Sequence, residues 1–257
     1  MNNILIPIDF SENSNAALEY ASFIAKTKGV KLIILHITKD AASVELQLER
    51  ITALSFMQEI DAQIVVREGK NISKIIKKVG VEFGVDLIVI GSNGISSVGE
   101  LILGSDTENV IRSSQFNVLT IKHKMLSLGL DSVLFPSDFS SEAYSVFETV
   151  KAFADLFGAK IYLLSVVTSN RKKELENTAE KMDAFVRHFS LTNSQYEKEI
   201  YQANNRELGV LNYSIDKDVD MIAIGSHGKG IVRKLVKESI SQGLVKNTFK
   251  PILTVRF

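Results

Sequence analysis

The sequence predicts an α/β protein made of two tandem, five-stranded, parallel, doubly wound sheets with helices on both faces. Apolar runs alternate with amphipathic segments along the chain, the second half repeats the first, and a glycine loop follows a buried strand at matching places. A chain of 257 residues is long enough for two ordinary domains, each with its own core. We place these domains at 1–124 and 131–257, joined by a short linker from Met125 to Leu130.

The internal repeat is the strongest of these observations. The segment from Asn3 to Ser11 returns as Ser132 to Ser140, which lies 129 positions later. Further along, the segment from Asp86 to Gly94 matches Asp220 to Gly228 at an offset of 134. The extra residues of the second copy fall in its middle, around a charged helix predicted from Arg171 to Phe189. One fold is therefore used twice.

Each copy alternates strands with helices. In the first copy, Ser11 caps the first helix and Gly29 ends it. Five strands joined by crossover helices form a parallel sheet, whose ligands bind beyond the carboxyl ends of the strands. The predicted strands are Ile4 to Ile8, Leu32 to Ile37, Ile64 to Arg67, Leu87 to Ile90 and Val118 to Lys122. Further helices are predicted over Val44 to Ile60, Ile72 to Phe83 and Asp106 to Arg112.

A glycine-spaced segment closes the first copy. Gly91 and Gly94 follow a buried strand, and after nine more residues come Gly104 and Ser105. Glycine lets backbone N–H groups approach an anion, and Ser105 lies at the start of a predicted helix, whose positive end favours negative charge. The spacing predicts a phosphate site and hence a nucleotide. Glycines that only shape a strand-to-helix connection are the alternative.

Composition excludes several other classes of function. Thirty basic residues balance thirty acidic ones, so the chain lacks the cationic field that gathers nucleic acid. Cysteine is absent, which removes disulfides and thiolate chemistry. The sequence shows neither a basic leader followed by an apolar core nor a long apolar stretch. We therefore expect a cytoplasmic protein without nucleic-acid or membrane partners.

Two motifs together resemble those of the universal stress protein family in its tandem form. These are the turn from Pro7 to Ser11 and the Gly-x2-Gly-x9-Gly-Ser spacing that starts at Gly91, and the resemblance covers essentially the whole chain. It implies strand order 3-2-1-4-5, ATP as the ligand, and pairing of the two domains through their last strands. It also implies a role in stress endurance rather than a defined metabolic reaction. Whether two chains form a homodimer stays open.

The resemblance also implies where ATP contacts the first copy. Asp9 and Ile8 would meet the adenine and ribose side, and Ile37 would line the base pocket. Taken alone, Asp9 is better explained as a turn residue or as a residue at the start of a helix. The remaining contacts would be small or made by the backbone: Gly91 near the ribose, Asn93 and Gly94 facing the phosphates, and Gly104, Ser105 and the Asp106 amide at the distal phosphates.

The second copy departs from this pattern. Its loop from Gly225 to Gly228 is intact, but Glu238 replaces the glycine that Gly104 supplies in the first copy. A carboxylate about 4 Å from one phosphate charge costs roughly 4 kcal/mol at an effective dielectric constant near 20. Micromolar affinity amounts to only about 8 kcal/mol, so we predict weak or absent ATP binding. Four nearby basic residues either soften this cost or form a solvated face: Lys229, Arg233, Lys234 and Lys237. We interpret His227 as a loop residue.

The sequence contains few signatures of catalytic activity. The glycine loop lacks the lysine of a P-loop, and we find no Ser-His-Asp set and no two-histidine metal spacing. Mg²⁺ would bridge phosphate oxygens without a dedicated carboxylate cage. We therefore expect an ATP-binding regulatory or stress module without efficient turnover. Two alternatives stay open: an interaction scaffold with relic glycines, and a slow ATP hydrolase, which would need a base and a cation for the transition state.

Overall fold

The chain divides into two compact units, Met1–Leu128 and Gly129–Phe257. The structure, a computed structural model, describes residues 1–39, 44–92, 115–125, 128–226 and 248–257. The predicted helix from Asp106 to Arg112 lies outside these residues. Among the helices that are described, none is both long and apolar enough to cross a lipid bilayer.

The first unit contains five parallel strands in the order β3-β2-β1-β4-β5, as predicted. Its elements are β1 (Asn3–Ile8), α1 (Glu12–Lys28), β2 (Lys31–Thr38), α2 (Glu45–Thr52), a 3-10 turn (Ser55–Met57), β3 (Ala62–Glu68), α3 (Ile72–Glu82), β4 (Leu87–Gly91) and β5 (Asn117–Ile121). Ser11 caps α1, because its side chain accepts a hydrogen bond from the Ser14 amide. Gly29 ends the helix in the left-handed conformation, at φ 62°.

The second unit repeats this arrangement, with strand order β8-β7-β6-β9-β10. Its elements are β6 (Ser132–Pro136), α4 (Ser141–Phe157), β7 (Lys160–Val167), α5 (Lys172–His188), β8 (Tyr196–Gln202), α6 (Arg206–Asp216), β9 (Met221–Ser226) and β10 (Ile252–Arg256). All of the pairings within this unit are parallel. The α/β class with helices on both sides of a parallel sheet is therefore confirmed.

One predicted helix is wrong in length. The segment from Val44 to Ile60 was expected to be one helix, but α2 ends at Thr52 and a 3-10 turn follows. The Thr52 hydroxyl donates to the Glu49 carbonyl oxygen at 2.9 Å, a local bond that competes with continuation of the helix. Met57 is buried, and its sulfur accepts a hydrogen bond from the Ser22 hydroxyl of α1 at 3.1 Å. This tertiary contact redirects the chain before Ile60.

An aspartate at the equivalent position of each unit holds the first strand beside the fourth. Asp86 Oδ2 accepts hydrogen bonds from the backbone amides of Asn2 and Asn3, at 2.5 and 3.3 Å. In the second unit, Asp220 Oδ2 accepts from the amide and the hydroxyl of Ser132, at 2.8 and 2.9 Å. These bonds lie at the amino ends of the strands, so they fix the sheet and leave the carboxyl ends for a ligand.

The faces of the parallel strands are packed differently in the two units. In the first unit, Ile33 and Ile88 pack under Ile76 of α3, and α1 covers the opposite face. In the second unit, the face under α4 and α5 carries a cluster of phenyl rings. Phe147 and Phe185 have ring centroids 4.8 Å apart. Aromatic packing therefore occupies one face of the strands of the second unit.

Candidate functional site

The carboxyl ends of β1 and β4 meet at the point where the strand order reverses. Ile4 pairs with Leu87 and Leu5 with Ile88, so these strands are direct neighbours. The chain continues from β1 to β2 on one side of this point and from β4 to β5 on the other. Ligands of open parallel sheets bind in the crevice at such a switch point. Asp9 and Gly91 both lie at this edge.

The turn after β1 is held by a local network of hydrogen bonds. Asp9 is exposed, and its Oδ1 accepts from the Ser11 amide at 3.1 Å and from the Ser11 hydroxyl at 2.6 Å. The Asp9 amide faces the Ser14 hydroxyl at 3.4 Å. Phe10, which lies between Asp9 and Ser11, has φ 65°. This left-handed conformation costs about 1–2 kcal/mol for a residue with a side chain. The turn therefore presents an exposed carboxylate on a strained, well-anchored backbone.

His36 of β2 packs against this turn. The sequence alone did not indicate His36 as a site residue. It is buried, with 7% of its surface exposed, and its Nδ1 lies 2.9 Å from the Ile8 carbonyl oxygen. Because a carbonyl oxygen only accepts, Nδ1 carries the proton. The imidazole also packs on the Phe10 ring, with centroids 4.7 Å apart. The available signal was one polar ring within the apolar run of β2.

Ile8 and Ile37 both stand at the carboxyl edge, but their side chains point to opposite faces of the sheet. Ile37 packs against the core cluster that contains Leu5 and Ile76, on the face covered by α3. Ile8 lies three residues after Leu5 in the same strand, so alternation turns it to the other face. The structure therefore brings their backbones to one edge without bringing their side chains together.

Gly91 ends β4 against the first turn of α1. A Cβ at this position would lie 2.5 Å from the Asn13 carbonyl oxygen and 2.7 Å from the Ser14 amide nitrogen. The next residue, Ser92, is buried, and its amide donates to the Ile121 carbonyl oxygen at 2.8 Å. Packing against α1 is therefore sufficient reason for a glycine at position 91.

The phosphate side of the predicted site lies outside the described residues. This applies to Asn93, Gly94, Gly104, Ser105 and Asp106 in the first unit. In the second unit it applies to His227 and Glu238, together with the four basic residues near them. The placement of a triphosphate therefore remains a prediction from the glycine spacing.

The matching turn of the second unit has the same backbone but different surroundings. Asp138 is exposed, and its Oδ1 accepts from the Ser140 amide at 3.0 Å. Phe139 again has a positive φ, 53°. Its ring, however, is 3% exposed and packs edge-on against Phe185 at 5.0 Å. Ser165 stands where the first unit has His36, so no imidazole stacks on this phenyl ring.

The glycine that ends β9 also has different neighbours from Gly91. A Cβ at Gly225 would lie 2.7 Å from Cε1 of Phe257 and 2.8 Å from Cγ2 of Val146. These atoms belong to side chains, whereas Gly91 faces the backbone of α1. The carboxyl end of β9 is therefore covered by bulky apolar groups.

One buried cation lies beside the first site. Lys122 follows β5, next to the residue that accepts from Ser92, and only 4% of its surface is exposed. Burial lowers the pKa of Lys122 to about 8. Within the part of the chain that the structure describes, no three His, Cys, Asp or Glu side chains are grouped to hold a metal ion.

Comparison with known proteins agrees with the internal repeat. A model of the universal stress protein family matches the chain twice, at residues 1–122 and 129–256. The chain is 30% identical over 156 residues to universal stress protein MJ0577 of Methanocaldococcus jannaschii, covering 47% of this chain and 94% of that protein. It is 22% identical to universal stress protein Slr1230 of Synechocystis, with both chains covered in full. A solved universal stress protein structure from Archaeoglobus fulgidus has a TM-score of 0.79 at 23% identity, covering 99% of this chain and 98% of that one, which shows a shared fold.

Proposed function

Because the chain belongs to the universal stress protein family in its tandem form, we propose that its first unit binds ATP at the carboxyl edge of the sheet. The bound nucleotide serves a regulatory or stress-endurance role without efficient turnover. The observation that carries this proposal is the exposed Asp9 carboxylate, fixed by Ser11 beside the end of β4. Such a switch point is where parallel sheets bind nucleotides.

A carboxylate that meets the 6-position of a purine, as proposed for Asp9, favours adenine over guanine. An ionised carboxylate only accepts hydrogen bonds, and the exocyclic N6 amino group of adenine donates them. Guanine presents the O6 acceptor at the equivalent position, which a carboxylate repels. Both local bonds of Asp9 use Oδ1, and they orient the carboxylate without neutralising its charge.

The triphosphate would extend from Gly91 toward Gly94, Gly104 and Ser105. The Asp106 amide would contribute at the start of the predicted helix, where unpaired N–H groups favour an anion. A magnesium ion would be held mainly by the phosphates, since the described residues offer no cluster of carboxylates for it. In this proposal the chain provides binding groups for ATP, and we identify no base for hydrolysis among the described residues.

We extend the proposal to the second unit, which would not bind ATP. Its Phe139 ring is buried in the aromatic cluster, and Val146 and Phe257 crowd the end of β9. In the sequence, Glu238 replaces the glycine that Gly104 supplies to the predicted phosphate site. We also propose that the two domains pair through their last strands and that the protein is cytoplasmic.

One observation favours the scaffold as a second candidate. Gly91 is explained by its close approach to Asn13 alone, so this glycine does not require a ligand. In a scaffold the loop would keep its glycines for packing, and the exposed Asp9 would serve only the turn. The two candidates differ in whether the purified chain carries or takes up ATP.

The test is to denature the purified protein and examine the released nucleotide by absorbance and mass spectrometry. Released ATP supports the proposal, and released ADP with steady phosphate production supports the hydrolase. No nucleotide after saturation with millimolar ATP supports the scaffold and contradicts the proposal. Asp9→Asn should weaken adenosine binding by about tenfold, the size expected for a hydrogen bond to a charged group. The matched variant Asp138→Asn should leave it unchanged.

A further inference from the structure

His36 contacts the turn on both sides of Asp9. Its Nδ1 donates to the carbonyl oxygen of Ile8, the residue before Asp9, at 2.9 Å. Its ring packs at 4.7 Å against Phe10, the residue after Asp9. One buried imidazole therefore holds the two residues that determine where the Asp9 carboxylate lies.

The contact with Phe10 matters because Phe10 is strained. A residue with a side chain leaves the left-handed region readily unless its neighbours hold it there. The packing of Phe10 on His36 and the bond from the Asn15 side chain to the Phe10 carbonyl oxygen, at 3.4 Å, both oppose that relaxation. The Ile8 carbonyl anchors the other end of the turn, since Ile8 pairs with His36 at the last position of β1.

The second unit shows that the turn can form without a histidine. Phe139 adopts the same positive φ, but it is held by Phe135 and Phe185 at centroid distances of 6.4 and 5.0 Å. Ser165 occupies the position that matches His36. In the first unit, therefore, an imidazole supports the turn that buried phenyl rings support in the second unit.

We propose that His36 is a positioning residue for the adenosine end of the ligand, acting through the Ile8–Ser11 turn without touching the ligand itself. This inference rests on the proposed function, because it assigns Asp9 to adenosine. Preorganisation of the turn reduces the cost of ordering Asp9 when the ligand binds. The benefit should be equal for adenosine and ATP, because the phosphates lie beyond this turn.

The proposal is tested with two variants of His36 and one matched control. His36→Leu removes the N–H donor and the ring that packs on Phe10, but it keeps an apolar side chain in β2. His36→Asn keeps an N–H group at nearly the position of Nδ1. Ser165→Ala is the control in the second unit. Dissociation constants for adenosine and for ATP are measured by calorimetry, together with the thermal unfolding midpoint of each variant.

We expect His36→Leu to raise both dissociation constants by about tenfold and by the same factor. His36→Asn should restore most of the loss, and Ser165→Ala should change neither constant. If His36→Leu lowers the unfolding midpoint but binds adenosine within about twofold of the native chain, the histidine is only structural and the proposal is overturned. Weakening confined to ATP would also overturn it.

Amide hydrogen exchange gives a readout that needs no ligand. In His36→Leu the amides from Asp9 to Ser11 should exchange faster than in the native chain, whereas those of Phe139 and Ser140 should not change. Nitrogen NMR of the native chain should show the His36 proton on Nδ1. If the native chain binds neither adenosine nor ATP, the proposed function fails, and hydrogen exchange alone then decides whether His36 positions the turn. Unchanged exchange in His36→Leu overturns that role.

Discussion

The turns that follow β1 and β6 share a sequence motif and a backbone but differ in their environment. Phe10 and Phe139 both have a positive φ, and an aspartate precedes each of them. In the first unit the phenyl ring is half buried and packs on His36, whereas in the second it is buried among other phenyl rings. A motif therefore fixes local geometry, and the residues around it decide whether that geometry leaves room for a ligand.

The ends of β4 and β9 show the same contrast. Gly91 touches the backbone of α1, while Gly225 is covered by the side chains of Val146 and Phe257. The first contact is between two rigid elements, and the second is between a strand and side chains that can rotate. Both copies have a glycine at this position, but the neighbours of the two glycines differ.

We expect the largest effect on ATP affinity when Gly104 of the first unit is replaced by glutamate, the residue at the matching position of the second unit. Gly104→Glu places a carboxylate beside the distal phosphates and should cost about 4 kcal/mol of ATP binding, or roughly three orders of magnitude in affinity. Adenosine lacks the phosphates, so its affinity should change little. Calorimetry with both ligands checks this. Unchanged ATP affinity would show that the phosphates lie elsewhere.

The two phenylalanines should differ in what they contribute to stability. Phe139→Gly removes a buried ring and should cost about 3 kcal/mol, after allowing for the strain that glycine relieves. Phe10→Gly should cost only about 1 kcal/mol, because its ring is partly exposed and its strain is also relieved. Urea unfolding midpoints measure both changes. Equal costs would mean that the two environments are alike.

The two glycines give a smaller difference. Gly91→Ala pushes a methyl group against the Asn13 backbone and should destabilise the chain by about 2–3 kcal/mol. Gly225→Ala meets side chains that can shift, so about 1 kcal/mol is expected. Chemical denaturation of the two variants tests this ranking. The reverse order would contradict the rigid approach of β4 to α1.

A pH-dependent effect should distinguish Lys122 from its counterpart Arg256, which stands at the matching position of the second unit. Burial lowers the pKa of folded Lys122 from 10.5 to about 8, so between these values the unfolded chain binds the extra proton. Stability should therefore rise with pH across this window, with a slope of at most about 1.4 kcal/mol per pH unit. Lys122→Met should remove this component of the slope, and Arg256→Met should retain it. Identical slopes in the native chain and Lys122→Met would contradict the burial of the charge.

Much of the fold could be predicted from the sequence, because its signals are local or repeated. The caps at Ser11 and Gly29 depend on residues within one turn of the helix. The strands depend on apolar runs, and the repeat supports each assignment twice. The end of α2 could not be predicted in this way, since it depends on Met57 meeting Ser22 of another helix.

The candidate site is less accessible from sequence. Asp9 and Gly91 stand out because a motif surrounds them, and the neighbouring β1 and β4 place both at one edge. His36 lies in an apolar run without any motif, and its role depends on its pairing with Ile8. The burial of Phe139 depends on Phe185, far along the chain. Contacts of this kind follow from packing in three dimensions.

The most direct test of the difference between the units is the stoichiometry of ATP binding to the intact chain. Isothermal titration calorimetry with the native protein, followed by the same titration of Gly104→Glu, measures it without assuming which unit is occupied. We predict one ATP per chain in the native protein and none in the variant. Two equivalent sites, or none at millimolar ATP, would contradict the account.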